Sequence, residues 1–463
     1  MSHTRSGPRV RLSGSFRNGM RYVICCDRRS PSATACVVVA AGAQDDPLHY
    51  SGCAHLVEHV LLTRSADSRA GADQQRLVRL GIRYNAETTR EHTRFWCEVG
   101  AHATGIETAL QHLHGWLTSS PGFSDAVVAR ERHVVLAELA AQRQDPGAFS
   151  RTVLVPESLW GPAHPARGRP VGGIPAEVIG TPPGLVEAFY RAHYRPENCC
   201  LAVYGNWRVG GSRNRRRGSG EGGGDELGRL VRLAERMWAP WDTRGGLADP
   251  AVRALCRVAD AARTHGPGHP LSPASPFRVV GDRGGETRGL TVVTVAWSGP
   301  GRLSRRPSAE AVHAVLASLA DSAESSALPV ALRLRAGVAY QVDADLQCCA
   351  HDGVALVQFS VLSPPDVDQG LAVLRDTMER MAREGMGGRR RATEWIDFVR
   401  GRGDMRPRYL DTTGMALDEA VCSLDGHSPS PRRTPLRWRE VDRASRHLAR
   451  AFLEQSAVIE LLT

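Results

Sequence analysis

The sequence contains no lysine, so all 59 of its Lys/Arg-type cations are arginines, set against 49 Asp and Glu for a net charge of +10. That excess would suit an acidic partner, yet the chain has no nucleic-acid recognition motif and no basic stripe interleaved with aromatics. Arg-only usage with abundant Ala and Gly fits a GC-rich coding sequence instead, and no nucleic-acid partner is expected. Also missing is an apolar run of signal-peptide length in the opening MSHTRSGPRVRLSGSFRNGM, and no later segment approaches the roughly 20 apolar residues of a membrane span. The expectation is a cytoplasmic protein without a membrane partner. The 11 cysteines include three adjacent pairs (Cys25 and Cys26, Cys199 and Cys200, Cys348 and Cys349) but no CxxC. That spacing excludes a zinc ribbon or a CxxC redox pair and points to buried free thiols in a reducing compartment.

At 463 residues, 42% hydrophobic and 23% charged, the chain is globular and too long for one ordinary core. Residues 20–41 read as two β-rich runs around a Ser-Pro turn, and Ser51 stands in the N-cap region of a helix over AHLVEHVLL. A strand is expected over 93–99. Two helices follow it, IETALQHLHGWLT and one opened by Ser124 that stops before Pro146. LVEAFYRAHY reads as a helix, CCLAVYGN as a buried strand, and 225–238 as a further helix.

Between these last two, 210–224 (GGSRNRRRGSGEGGG) is low-complexity and reads as a mobile surface loop. The tract THGPGHPLSPASP ends at Pro276, so domains are placed at 9–245 and 277–463 with a linker over 246–276. The second half repeats the rhythm: strands at LTVVTVAW and GVALVQFSV, and helices near 309–323, at 367–385, and around Trp395 and Arg439. The order is mixed rather than a regular βαβ alternation, which predicts an α+β layer architecture used twice.

The chemistry concentrates in His55-Leu56-Val57-Glu58-His59. On a helix, positions i and i+4 share a face, so both imidazoles can reach one metal ion with the carboxylate of Glu58 beside them. Zinc held by two His and one further carboxylate keeps a position for water, and a free Glu can accept that water's proton. A distant acidic ligand is available, since Glu131 and Glu138 lie seven residues apart, two turns along one face of the helix opened by Ser124.

The segments NGM, GCAHLVEH, YNAETTREHTRF, ERHVVLAE, FYRAHYRPENCCLAVYGN and ALRLRAGVAY occur in the order seen in M16 peptidases, the inverted-motif zinc peptidases that include pitrilysin. The chain resembles that family over most of its length. The resemblance implies two homologous α+β domains of the metallopeptidase M16 (LuxS/MPP-like) type and one Zn2+ per chain. It gives His55, His59 and Glu138 as metal ligands, Glu58 as general base and Glu131 as supporting carboxylate. Asn85 and Ala86 match the family's Asn-Ala motif on an edge strand that pairs with a peptide backbone. Arg333 and Tyr340, with Gly337 and Ala339, match its substrate-contacting segment and are expected to steady the oxyanion. His92, His133 and His193 fall at no ligand spacing and are read as structural or surface residues.

Two departures concern the stretch after the motif. The interval from His59 to Glu138 is a few residues longer than is usual in the family, which a short insertion between Arg64 and Asp73 absorbs. LLTRSADSRAG is polar and small where the family is apolar. In the family, half-length chains pair into a clamshell, so the resemblance implies a homodimer or a heterodimer with a related M16 half, and a peptide substrate, including leader-type peptides. The alternatives are a non-catalytic or partner-dependent subunit, and an Arg-rich nucleic-acid binder built on 210–224. Deleting 210–224 and titrating duplex DNA at several salt concentrations separates the last of these. Negligible affinity, unchanged by the deletion, is the expected outcome, whereas binding that falls steeply with salt and disappears with the loop would establish it.

Overall fold

A run such as Ser32–Val39, buried at seven of eight positions, needs a sheet covered on both faces. The computed structural model provides one and describes residues 9–63, 70–100, 105–118, 122–160, 164, 167–208, 222–242, 277–282, 290–304, 307–320, 326–405, 411–426 and 437–462. The linker expected over 246–276, nearly all of the Arg/Gly-rich loop and residues 64–69 of the expected insertion lie outside the described residues. Among the described residues no helix is long and apolar enough to cross a membrane.

The chain divides into two units. The first takes 1–137, 171–263 and 404–431; the second takes 138–170, 264–403 and 432–463. In the first, β1 (Val10–Ser15), β2 (Arg21–Cys26), β3 (Ser32–Val39), β4 (Arg83–Thr88), β5 (Thr93–Gly100) and β6 (Cys199–Gly205) form one sheet in the order β1-β2-β6-β3-β5-β4. Only β2 and β6 run parallel. Helices α1 (Cys53–Thr63), α2 (Ala70–Arg79), α3 (Gly105–Thr118), the first turns of α4 (Asp125–Gln144), α5 (Pro183–His193) and α6 (Gly222–Trp238) belong with it. α1 packs against α5 and the edge strand β4, while α3 lies on β3 and β5.

The second unit holds β7 (Phe277–Asp282), β8 (Thr291–Pro300), β9 (Val342–Cys348), β10 (Asp352–Val361) and β11 (Ala457–Leu462), ordered β7-β11-β8-β10-β9, with only β7 and β11 parallel. Helices α7 (Ala309–Leu319), α8 (Pro364–Glu384) and α9 (Arg389–Met405) follow its strands, and α11 (Trp438–Gln455) precedes its last one. If β1 is set aside, both sheets arrange their strands, counted along the chain, as first, last, second, fourth, third, and in both the first and last are the parallel pair. The α+β architecture is therefore one topology used twice.

The units differ from a cut into consecutive halves because each half lends a helical segment to the other unit. Helix α10 (Thr412–Leu424) belongs to the first unit. Its Ala416, Leu417, Ala420 and Val421 cover Cys25, Cys36, Cys200 and their apolar neighbours on the sheet. Its buried Glu419 meets Arg9 and Arg11, and the hydroxyl of Thr412 lies 2.9 Å from that of Thr34. Reciprocally, Val155, Leu159 and Trp160 pack on Ala296, Val354 and Leu356 of the second sheet. Polar neighbours join that contact, with the Ser150 hydroxyl donating to Thr294 at 2.8 Å and Gln358 Nε2 donating to the Gly147 carbonyl at 3.2 Å.

All ten described cysteines are free thiols and eight are buried. Burial, more than any neighbouring charge, pushes Cys25 up to about 12 and raises Cys36 and Cys97 as well, so these thiols stay protonated.

The turn leading from β3 into α1 is clamped to the β4–β5 turn, where Ala43 N donates to Thr89 O at 3.0 Å and Gln44 N to Arg90 O at 2.9 Å. Only glycine fits at its start. A Cβ on Gly42 would stand 2.4 Å from Thr89 O and 2.6 Å from Arg90 O and His92 N, all backbone atoms that cannot swing aside. Gly42→Ala is expected to destabilise the protein by about 1–3 kcal/mol, read from urea unfolding.

Candidate metal centre

Helix α1 begins where Asp46 waits for it. This fully buried carboxylate accepts from Gly52 N and Ala54 N, each at 2.7 Å, filling donors that the first turn of a helix leaves unmatched. Ser51, the residue expected in the capping role, is used otherwise: its hydroxyl accepts from Ile174 N at 2.9 Å and its own N–H reaches Glu177. Gly52 has φ +93°, and its missing Cβ leaves room for Gly172 O.

From this start, α1 brings His55 Nε2 and His59 Nε2 to 3.2 Å. Burial first, and His59 second, push His55 down to about 3, so its ring is neutral and able to ligate at ordinary pH. His59 turns Nδ1 toward the buried Glu131 at 3.7 Å, and Arg130 Nε holds the other oxygen of Glu131 at 2.8 Å. A carboxylate facing Nδ1 favours the tautomer that leaves Nε2 as the free lone pair. At 3.2 Å from His55 Nε2, that lone pair meets either a proton carried by His55 or a second lone pair, which a shared cation would reconcile.

The third donor comes from α4. Ser124 starts this helix as expected, with Val128 N on its carbonyl, and α4 continues without a break past Ala137, where the division between the units falls. Ligand atoms of His55, His59 and Glu138 all lie within 4.8 Å of one another, the one such group of three found among the described residues. Two nitrogens bonded to zinc at 2.0–2.1 Å with a tetrahedral angle stand about 3.3 Å apart, close to the observed separation. The donor set fits zinc in kind and in spacing. Glu138 is exposed, so the centre faces solvent on that side.

Glu58, only 5% exposed, lies next in the helix to His59, and its Oε2 accepts from Thr88 Oγ1 at 2.5 Å. Tyr194 is fully buried on the same side. Burial above all, with the charge of Glu58 among the lesser causes, raises its phenol so that it stays protonated.

The remaining expected residues are spread over both units. Asn85 and Ala86 lie in β4, which is the sheet's edge, with Asn85 exposed and Ala86 buried toward α1. Arg333 and Tyr340 belong to the second unit, both exposed, at the end of a wide helical turn (Pro329–Arg335) and just before the edge strand β9. His133 is exposed, whereas His92 and His193 are buried. Asp46 and Thr88 were not singled out by the sequence. For Thr88 a signal existed, since it follows Ala86 by two and so shares its face of the strand.

The sequence profile of Insulinase (Peptidase family M16) matches residues 22–160, which hold every residue of the metal centre. A Mycobacterium bovis protein named an uncharacterized zinc protease is 30% identical over 370 residues, 76% of this chain and 78% of that one. This chain belongs to the M16 peptidase family. A second relative, coenzyme PQQ synthesis protein F of Pseudomonas syringae, is 31% identical over 196 residues, 41% of this chain but only 24% of that protein's length.

Solved structures extend the likeness of this M16 chain to its whole fold. A protease from Helicobacter pylori superposes with a TM-score of 0.77 at 15% identity, over 98% of this chain and 100% of that one. A peptidase M16 inactive domain from Pseudomonas fluorescens gives 0.72 at 15% identity, covering 97% and 98%. The fold is the M16 fold.

Removing the Asp46 carboxylate should loosen the start of α1 and, through it, the metal group. Asp46→Ala is expected to cost about 2 kcal/mol in urea unfolding and to lower zinc bound per chain, with Asp46→Asn falling between it and the wild type.

Proposed function

We propose that this chain is a zinc-dependent endopeptidase that hydrolyses peptides or small unfolded polypeptides in a chamber closed by a second M16 half. The observation that carries the reading is the convergence of His55, His59 and Glu138 beside the buried carboxylate of Glu58. A zinc ion held by that set supplies Lewis acidity to a water molecule and to a peptide carbonyl.

The chain's own groups do the rest. A peptide in extended form pairs along the free edge of β4, next to Asn85 and Ala86, which fixes its register by backbone hydrogen bonds. Glu58 takes the proton of the attacking water and returns it to the leaving amine nitrogen. Glu131 keeps His59 in its ligating tautomer. Arg333 and Tyr340, exposed in the second unit, donate to the developing oxyanion, and in a dimer they serve the partner's centre. Confinement in a chamber selects for length over sequence, which suits leader-type peptides, and the cytoplasm is the compartment that the cysteine usage favours.

A second reading has one observation behind it, the likeness to the Pseudomonas fluorescens inactive domain: a subunit that needs a related M16 half for activity. Zinc content of the purified chain, measured with cleavage of a quenched mixed-peptide library with and without chelator, decides between them. Stoichiometric zinc with chelator-sensitive cleavage is the expected result. Zinc without cleavage favours the partner-dependent subunit, and absence of zinc overturns the metal assignment. Glu58→Gln is expected to keep zinc and lose turnover by at least about 100-fold, whereas Glu138→Gln is expected to lose zinc itself. Equal metal loss in both variants contradicts the assigned roles.

A further inference from the structure

A carboxylate buried as deeply as Glu58 is costly unless donors meet it, and a short O–H···O− bond is among the stronger ways to do so. One such donor is Thr88 Oγ1, at 2.5 Å from Glu58 Oε2. Thr88 is itself buried and ends β4 at the turn, opposite Thr93 across the hairpin. The turn is held on both sides: Thr89 N donates to His92 O at 2.7 Å, Thr93 Oγ1 to Ala41 O at 2.9 Å, and the Gly42 segment clamps Thr89 and Arg90. The hydroxyl is thus presented from a fixed piece of backbone.

Thr88 also stands two residues beyond Ala86. Residues two apart on a strand project from the same face, about 7 Å from each other. The inward face of β4 therefore carries, side by side, a residue flanking the proposed peptide-pairing edge and the residue that grips the proposed base. Glu58 shares its helix with both histidines, but a helix fixes only where its Cα sits. Three rotatable bonds separate that atom from the carboxylate oxygens, and the Thr88 hydroxyl fixes one of those oxygens.

We propose that Thr88 is a positioning residue for the hydrolysis, one that aims the Glu58 carboxylate and ties its aim to the edge strand on which the peptide is laid down. The proposal rests on the reading of Glu58 as general base. Donation to Oε2 orients the carboxylate plane that exchanges the proton with water and with the leaving nitrogen. A peptide strand that pairs with β4 stiffens the strand bearing Thr88, which sets the base when substrate is in place.

The test compares Thr88→Val, which keeps the branched shape and removes the donor, with Thr88→Ser, which keeps the donor. In wild-type background, Thr88→Val is expected to lower kcat by about 10- to 100-fold with KM and zinc content unchanged, and Thr88→Ser to recover turnover to within about threefold. Wild-type kcat in Thr88→Val, or loss of zinc in parallel with loss of turnover, overturns the proposal.

A second measurement needs no activity. In chelator-treated protein, Thr88→Val is expected to lower the urea midpoint clearly more in the wild-type background than in Glu58→Gln, because only a charged carboxylate has the strong bond to lose. Equal shifts in the two backgrounds overturn the contact itself. Should the wild-type protein cleave no peptide with or without added M16 partner, the proposed function falls, while the metal-free unfolding pair still decides whether Thr88 holds Glu58.

Discussion

Charged groups cannot be taken out of water without partners, and the carboxylates of Asp46, Glu58 and Glu131 are all buried around one helix of the first unit. Asp46 is met by the backbone at the start of α1, Glu58 by a hydroxyl from β4, and Glu131 by Arg130 and the ring of His59. Each pairing joins α1 to a different piece of chain, Asp46 in the turn before it, Thr88 on β4 and Glu131 on α4, so satisfying the charges also fixes that turn, the edge hairpin and α4 with respect to the helix. The metal group is a by-product of the same arrangement: once α1 and α4 are held in this way, His55, His59 and Glu138 converge. Stability and the candidate metal group share contacts here, and a substitution chosen to relieve a buried charge would also disturb that group.

The two units share a topology but not the candidate metal group. Their sheets follow the same strand order with the same parallel pair, yet α7, which follows β8 as α1 follows β3, reads AEAVHAVLASL and has no HxxEH. The second unit instead exposes Arg333 and Tyr340 in the segment entering its own edge strand. β9 occupies the place that β4 has in the first sheet. The two sheets share a scaffold and differ in the side chains carried on corresponding pieces of it.

Local periodicity made α1, α3, α4 and β5 legible in the sequence, and the i, i+4 histidines with the two glutamates seven apart were legible for the same reason: spacing along one helix is a local property. What escaped were features decided by distant chain. β1 is almost wholly exposed and lacks an alternating signal, and β7 and β11 acquire strand character from each other across most of the second half. α10 was missed as a separate helix, and its partner surface lies on a sheet formed hundreds of residues earlier. Ser51 had the composition of a cap but was taken by Ile174 and Glu177, while Asp46, five residues before it, reached the helix through a turn that only the fold creates.

The reciprocal loan of helical segments also makes each half of the chain dependent on the other. Residues 146–160 and α10 occupy corresponding stations, each after the second helix that follows the central hairpin, and each completes the sheet of the opposite repeat. A cut anywhere between Trp241 and Phe277 therefore leaves each piece with a sheet whose apolar face lacks its covering segment, so neither half of the chain is a complete domain by itself.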